Sequence, residues 1–373
     1  MTTPGTAPRV LLVTAPGVLP CPRTAREVLE GAAAARGARA RLVTTGSAAE
    51  FHDAVAEAAA GGEFLLMPAG PAAVDTSGLP LQGARVLRVD LDERGPDTSV
   101  AVRRHLRGRG LDGIRYAVDA WHFHRTSPAV QHPYGEHADQ RAELRLPPGE
   151  GPFPVAVLVH GGYWRSRWEN DLMEAMAADL TGRGFATWNV EYRRPDAHGW
   201  NATTADVAAA LQALAGVGGP LDLSRVVTLG HSAGGQLVGR LAADCGADPL
   251  LAVRPALTVS LAGCLDLVTT DRRWIGEGAA ALALGGRAGD RPEVYAASSP
   301  LARLPVGLPI AVVCGRQDSL DLLDISRAFA AAAAAAGDDV LVLEDEGDHF
   351  SVIDPRSGIW PGIVDLVLSR VRP

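Results

Sequence analysis

The sequence predicts an α/β protein made of two successive parallel-sheet units, the second one larger. Three observations carry this expectation. Apolar strand-like runs alternate with single helix-like segments along most of the chain, and such alternation is stable as parallel strands joined by helical crossovers. At 373 residues the chain exceeds one comfortable hydrophobic core, so two domains follow. Within RVVTLGHSAGGQLVGRLAA, Arg225 to Ala243, a buried strand turns straight into a helix through a small polar residue fenced by glycines.

Composition narrows the function classes. A hydrophobic content of 47% with 21% charged residues is ordinary for a soluble globular protein. A net charge of −8 gives no reason to expect nucleic acid or an anionic membrane as partner. The start, MTTPGTAPRV, has neither the basic nor the apolar region of a signal peptide, and the run AFAAAAAAAG from Ala328 reads as a packed helix between Arg327 and Asp338. Four scattered cysteines without C-x-x-C spacing argue against a zinc knuckle or a disulfide framework, so a cytoplasmic protein without metal or cofactor is expected. Abundant alanine, arginine and glycine with scarce lysine suggest a high-GC bacterial source.

In the first third, RVLLV (Arg9 to Val13), ARLVTT, FLLMPAG and ARVLRVDL read as strands. TAREVLEGAAAARG, ended by Gly37, and AAEFHDAVAEAAAGG read as helices, and GLDGIRYAVDAWHFH as a closing helix that stops near His124. The expected domains are therefore 1–124 and 125–373. After a Pro- and Gly-rich stretch holding the short strand AELRL (Ala142 to Leu146), strands are expected at 154–159, 185–191, 225–229, 256–261, 309–314 and 339–344.

The junction Gly230-His231-Ser232-Ala233-Gly234 fits G-x-S-x-G between strand and helix, a turn that strains the serine backbone and exposes its hydroxyl above the sheet. A serine hydroxyl needs a base, and that base an acid. Both follow at carboxyl ends of expected strands, where open α/β sheets place their sites: Asp318 after PIAVVCGRQDSL and His349 in VLVLEDEGDHFSVID. Asp321 and Asp324 fall in the next helix and suit its first turn, Asp266 is a weaker acid candidate, and the cluster Glu344, Asp345, Glu346 and Asp348 reads as a solvated loop. In VLVHGGYW, again at a strand end, two glycines let backbone N–H groups converge as an oxyanion hole. The expected donors are Gly162, Tyr163 and Ala233. Tyr163 and Trp164 are expected to touch substrate, although both suit packing too, and His160 to organise the loop. The histidines of HFH at 122–124 lack a third ligand and read as surface residues.

With these elements in order, the sequence resembles the α/β-hydrolase superfamily, and within it the kynurenine formamidase (arylformamidase) and hormone-sensitive-lipase-like carboxylesterase branch. The motifs are HGGYW (160–164), VEYRRP (190–195), GHSAGG (230–235), GCLDL (263–267), YAASSPLARL (295–304), GRQD (315–318) and DHF (348–350), with YGEHADQRAELRLP from Tyr134 as the leading segment. The resemblance implies an α/β-hydrolase domain, Ser232, Asp318 and His349 as catalytic triad, and hydrolysis of a small carboxylic ester or an amide such as an N-formyl aryl amine. The same triad can instead serve acyl transfer or cyclisation on a biosynthetic intermediate. The non-enzyme alternative is a binding protein with relic hydrolase parts.

The first unit, with TAPGV (14–18), MPAG (67–70), RVDLDE (88–93) and LRGRGLDGIRYAVDA (106–120), is similar to type II 3-dehydroquinate dehydratase, a flavodoxin-like fold. It departs from that family where chemistry resides. No tyrosine precedes Tyr116, and Asp90 and Met67 stand where the family has histidine and asparagine. A thioether cannot polarise water and a carboxylate repels an anionic substrate. Arg23 fits a lid arginine, but a surface role is the simpler reading. The unit is therefore expected to be non-catalytic and to mediate homo-oligomerisation or cover the hydrolase entrance.

Overall fold

The computed structural model describes residues 7–68, 79, 81, 85–93 and 102–371. The stretch MPAG (67–70) falls partly outside them. The chain divides into two compact units, Met1–Pro128 and Ala129–Pro373.

Unit 1 holds strands β1 (Arg9–Thr14), β2 (Arg39–Thr44), β3 (Glu63–Met67), β4 (Arg85–Asp90) and β5 (Val102–Arg107), and helices α1 (Pro22–Ala35), α2 (Ala48–Ala60) and α3 (Asp112–Thr126). Its strands are all parallel in the order 2-1-3-4-5, the flavodoxin-type winding. Reversal of direction after β2 puts α1 and α2 on opposite faces. Leu12, Phe51, Phe64, Leu65 and Leu87 fill the core between them. β5, VRRHLR, was not expected as a strand: it lies at the edge of the described sheet, and its Arg104, His105 and Arg107 are nevertheless buried, His105 Nε2 on Asp90 at 2.8 Å.

Unit 2 contains β6 (Val130–Pro133), β7 (Arg141–Arg145), β8 (Phe153–Val159), β9 (Ala186–Val190), β10 (Leu221–His231), β11 (Leu257–Leu261), β12 (Ile310–Gly315) and β13 (Val340–Asp345). Its helices are α4 (Glu174–Gly182), α5 (Pro195–His198), α6 (Trp200–Val217), α7 (Ala233–Ala247), α8 (Leu267–Arg272), α9 (Ile275–Leu284), α10 (Pro292–Ser298), α11 (Leu320–Ala335) and α12 (Trp360–Leu368). The sheet order is β13-β12-β11-β10-β8-β9-β7-β6, parallel throughout except for the antiparallel pairs β7 with β9 and β6 with β7. Central strands covered on both faces need continuous apolar runs, and in VAVLV of β8 every residue is buried. Two cores result. Trp188, Val226 and Leu237 belong to one, and Leu158, Leu229, Phe185 and Trp360 to the other. Among the described residues, no helix is long and apolar enough to cross a membrane.

Candidate active site

The carboxyl ends of β8, β10, β12 and β13 bring the expected residues to one edge of the unit 2 sheet. β10 ends at His231, and Ser232 follows in the left-handed region, φ 54 and ψ −115, as N-cap of α7. The helix can start so close to the sheet only because the elbow glycines lack side chains. A Cβ on Gly230 would lie 2.1 Å from the Gly234 carbonyl oxygen, and one on Gly234 would lie 2.2 Å from that of Val159. The first intrahelical bond runs from Gln236 N to Ser232 O at 3.2 Å, so the N–H groups of Ala233 to Gly235 precede the helical ladder.

Asp318 lies three residues beyond β12, and its carboxylate is nearly buried. It accepts hydrogen bonds from Ser319 N at 2.6 Å and from His349 Nδ1 at 2.8 Å. The imidazole of His349 is thereby oriented, leaving Nε2 for another partner. Asp318 and His349 are thus joined, while among the described residues no hydrogen bond links Nε2 to the Ser232 hydroxyl. Catalytic contacts of this kind are commonly long before substrate binds.

His231 supplies a connection that the sequence reading did not find. Its Nε2 donates to the main-chain carbonyl of His349 at 2.9 Å, and the two rings lie 4.8 Å apart. Burial, and then the neighbouring His349, push the His231 pKa down to about 3, so the ring is neutral near pH 7. The loop carrying His349 is therefore tied to the residue preceding Ser232.

The HGGYW loop follows β8. Gly162 (φ 112), Tyr163 and Trp164 (both φ 56) are left-handed in succession. A Cβ on Gly162 would collide with Trp168 at 2.3 Å. Tyr163 is 39% exposed. Trp164, expected to touch substrate, is 2% exposed, and its indole N–H donates to Gln236 Oε1 at 3.1 Å. It is a packing residue, because its ring is turned into the core. Of the other tryptophans, Trp200 is buried on Ser298 and Trp274 is half exposed beneath the Arg287 guanidinium.

Beneath this loop is a buried ionic cluster whose residues the sequence motif contained without showing their work. His160 stacks on Tyr192 at 4.4 Å, and Tyr192 Oη donates to the His160 carbonyl at 2.9 Å. His160 Nδ1 faces the Gly161 carbonyl at 2.8 Å and Nε2 faces Glu191 Oε1 at 3.3 Å, which makes it the loop organiser expected. Glu191 also accepts from Arg194, from Asn170 N at 3.0 Å and from Tyr192 N at 3.0 Å. Burial alone would raise its pKa, but Arg194, then His160 and Arg141, hold it well below the carboxylate range.

The competing acids are otherwise engaged. Asp321 and Asp324 pair with Arg273, Asp266 caps α8, and Asp348 closes its own turn by accepting from Ser351. Glu344 and Asp345 belong to β13 and not to a loop; the strand runs one residue beyond the expected 344 because Asp345 still pairs with Gly315 of β12.

A family profile described as BD-FAE matches residues 143–332. The chain belongs to the BD-FAE family. Solved structures similar to it share the α/β-hydrolase fold. A bifunctional GH43-CE protein from Bacteroides eggerthii is 20% identical with a TM-score of 0.57, over 65% of this chain and 35% of that one. A truncated carbohydrate esterase from gut microbiota is 17% identical with a TM-score of 0.57, over 65% of this chain and 95% of that one. A candidate thioesterase from Silicibacter sp. TM1040 is 25% identical with a TM-score of 0.55, over 69% and 91%. The alignment thus spans about a third of the bifunctional protein's length. No curated protein matches the chain.

Proposed function

We propose that this protein is a serine hydrolase that cleaves a small carboxylic ester, or an aryl amide of formamidase type, through an acyl-enzyme. What carries the reading is the 2.8 Å bond from His349 Nδ1 to Asp318 at the same sheet edge as the left-handed Ser232 elbow. The esterases among the similar structures support the ester class.

In this reading Ser232 Oγ attacks the carbonyl carbon as His349 Nε2 takes its proton. Asp318 fixes the tautomer and stabilises the imidazolium. The N–H groups of Gly162, Tyr163 and Ala233 hold the oxyanion, where one donor is worth about 3–4 kcal/mol of barrier. The imidazolium then protonates the leaving group, and water, activated by the same base, releases the acid. Tyr163 borders the substrate. Unit 1 serves as a non-catalytic dehydratase-like module that mediates homo-oligomerisation, and the enzyme works in a bacterial cytoplasm.

Profiling p-nitrophenyl esters of increasing acyl length beside N-formylkynurenine tests the substrate class. Turnover of short esters is expected. Activity on none of them would contradict the hydrolase reading.

A further inference from the structure

Away from the serine site, His137, Asp139 and His198 present one ligand atom each within 4.8 Å of one another. The two imidazoles meet edge to face, with ring centroids 4.5 Å apart. Both are exposed, while Asp139 is partly covered. Ligand atoms on a tetrahedral zinc with bonds of about 2 Å stand roughly 3.3 Å apart, so a closure of at most about 1.5 Å by exposed side chains completes the set.

The backbone holding these groups is constrained. His137 and Asp139 lie on a loop closed by Gln140, whose N–H donates to the His137 carbonyl at 2.8 Å and whose carbonyl accepts from Tyr134 N at 2.9 Å. The His137 N–H donates in turn to Gln140 Oε1 at 3.1 Å. Asp139 N donates to His137 Nδ1 at 3.1 Å, which leaves Nε2 of that ring as the coordinating nitrogen. His198 ends α5, with its N–H bonded to the Arg194 carbonyl at 3.0 Å. The cations beside Asp139 are shared with other carboxylates: Arg194 with Glu191, and Arg141 with Glu169 at 3.5 Å. Asp139 therefore keeps lone pairs for a further partner.

We propose that His137, Asp139 and His198 form a surface site for a borderline divalent transition cation such as Zn2+, which clips the 134–140 loop to α5. Two imidazoles with one carboxylate select such ions over Mg2+ or Ca2+, which require mostly oxygen ligands. Solvent fills the remaining coordination positions. The site is independent of the serine chemistry, and the Asp139–Arg194 pair links it to the Glu191 cluster.

The test is calorimetric titration of the full chain, stripped with EDTA, with Zn2+ and separately with Mg2+. It is run in a Cys21→Ser background because Cys21 is an exposed thiol. One Zn2+ per chain and no Mg2+ binding are expected. His137→Ala and His198→Ala, each at an exposed position and checked for fold by circular dichroism, should each weaken Zn2+ binding by at least about 100-fold, while His52→Ala should not. Absence of Zn2+ binding at about 1 mM, equal binding of Mg2+, or Zn2+ binding that survives either ligand substitution would overturn the proposal.

Discussion

At φ 54 and ψ −115, Ser232 occupies a backbone region that costs roughly 1–3 kcal/mol and persists only where its surroundings hold it. Those surroundings are named: Ser232 N donates to Leu261 O at 2.8 Å, and Gly230 and Gly234 admit the crossing backbones. If the strain serves nucleophilic attack, Asp318→Asn should leave the fold intact and lower kcat by about 10^4, because the imidazole loses its correct tautomer; steady-state kinetics on a p-nitrophenyl ester checks this. His231 acts one step further out. Removing its bond to the His349 carbonyl in His231→Ala lets the base drift, and kcat should fall by about 100-fold with KM little changed. A parallel loss in KM would contradict that positioning role. That Ser232, Asp318 and His349 come to one sheet edge was legible in the sequence, because each follows a recognisable strand. The role of His231 was not, since its partner is a main-chain carbonyl in a distant segment, which no residue type announces. Trp164 was misread as a substrate contact for a related reason: an indole beside a site looks the same in sequence whether it faces the pocket or the core.

Among the elements, the central strands announce themselves by unbroken apolar runs, as in VAVLV of β8. The two strands that were missed, β5 and β6, both lie at sheet edges, where arginine, histidine and proline are tolerated. The end of β9 shows a further limit of patterning. Nothing in the charged run VEYRRP marks Glu191 as a core residue, yet it is wholly buried and binds together His160, Asn170, Tyr192 and Arg194. Taking away one member of such a cluster strands the others. Glu191→Ala should destabilise unit 2 by about 3–5 kcal/mol, read from urea unfolding at constant m-value. A loss below about 1 kcal/mol would show that the cluster does not hold the oxyanion loop.

For the whole molecule, the buried neutral His231 makes acid stability predictable in sign. Its pKa falls from 6.5 to about 3 on folding, so between those values the unfolded chain binds the extra proton. Stability is therefore complete above pH 6.5 and falls as the pH drops towards 3, by up to about 1.4 kcal/mol per pH unit from this group. Its loss in His231→Gln should flatten that slope in thermal melts between pH 6 and pH 4. A slope unchanged by the substitution would mean that the ring is not held neutral.

The most direct measurement is covalent labelling of the intact protein with a fluorophosphonate, followed by peptide mass spectrometry. A single adduct on Ser232 is predicted, absent from folded Ser232→Ala and strongly slowed in folded His349→Ala. A folded wild-type chain that takes no label, or takes it at another residue, would contradict the account.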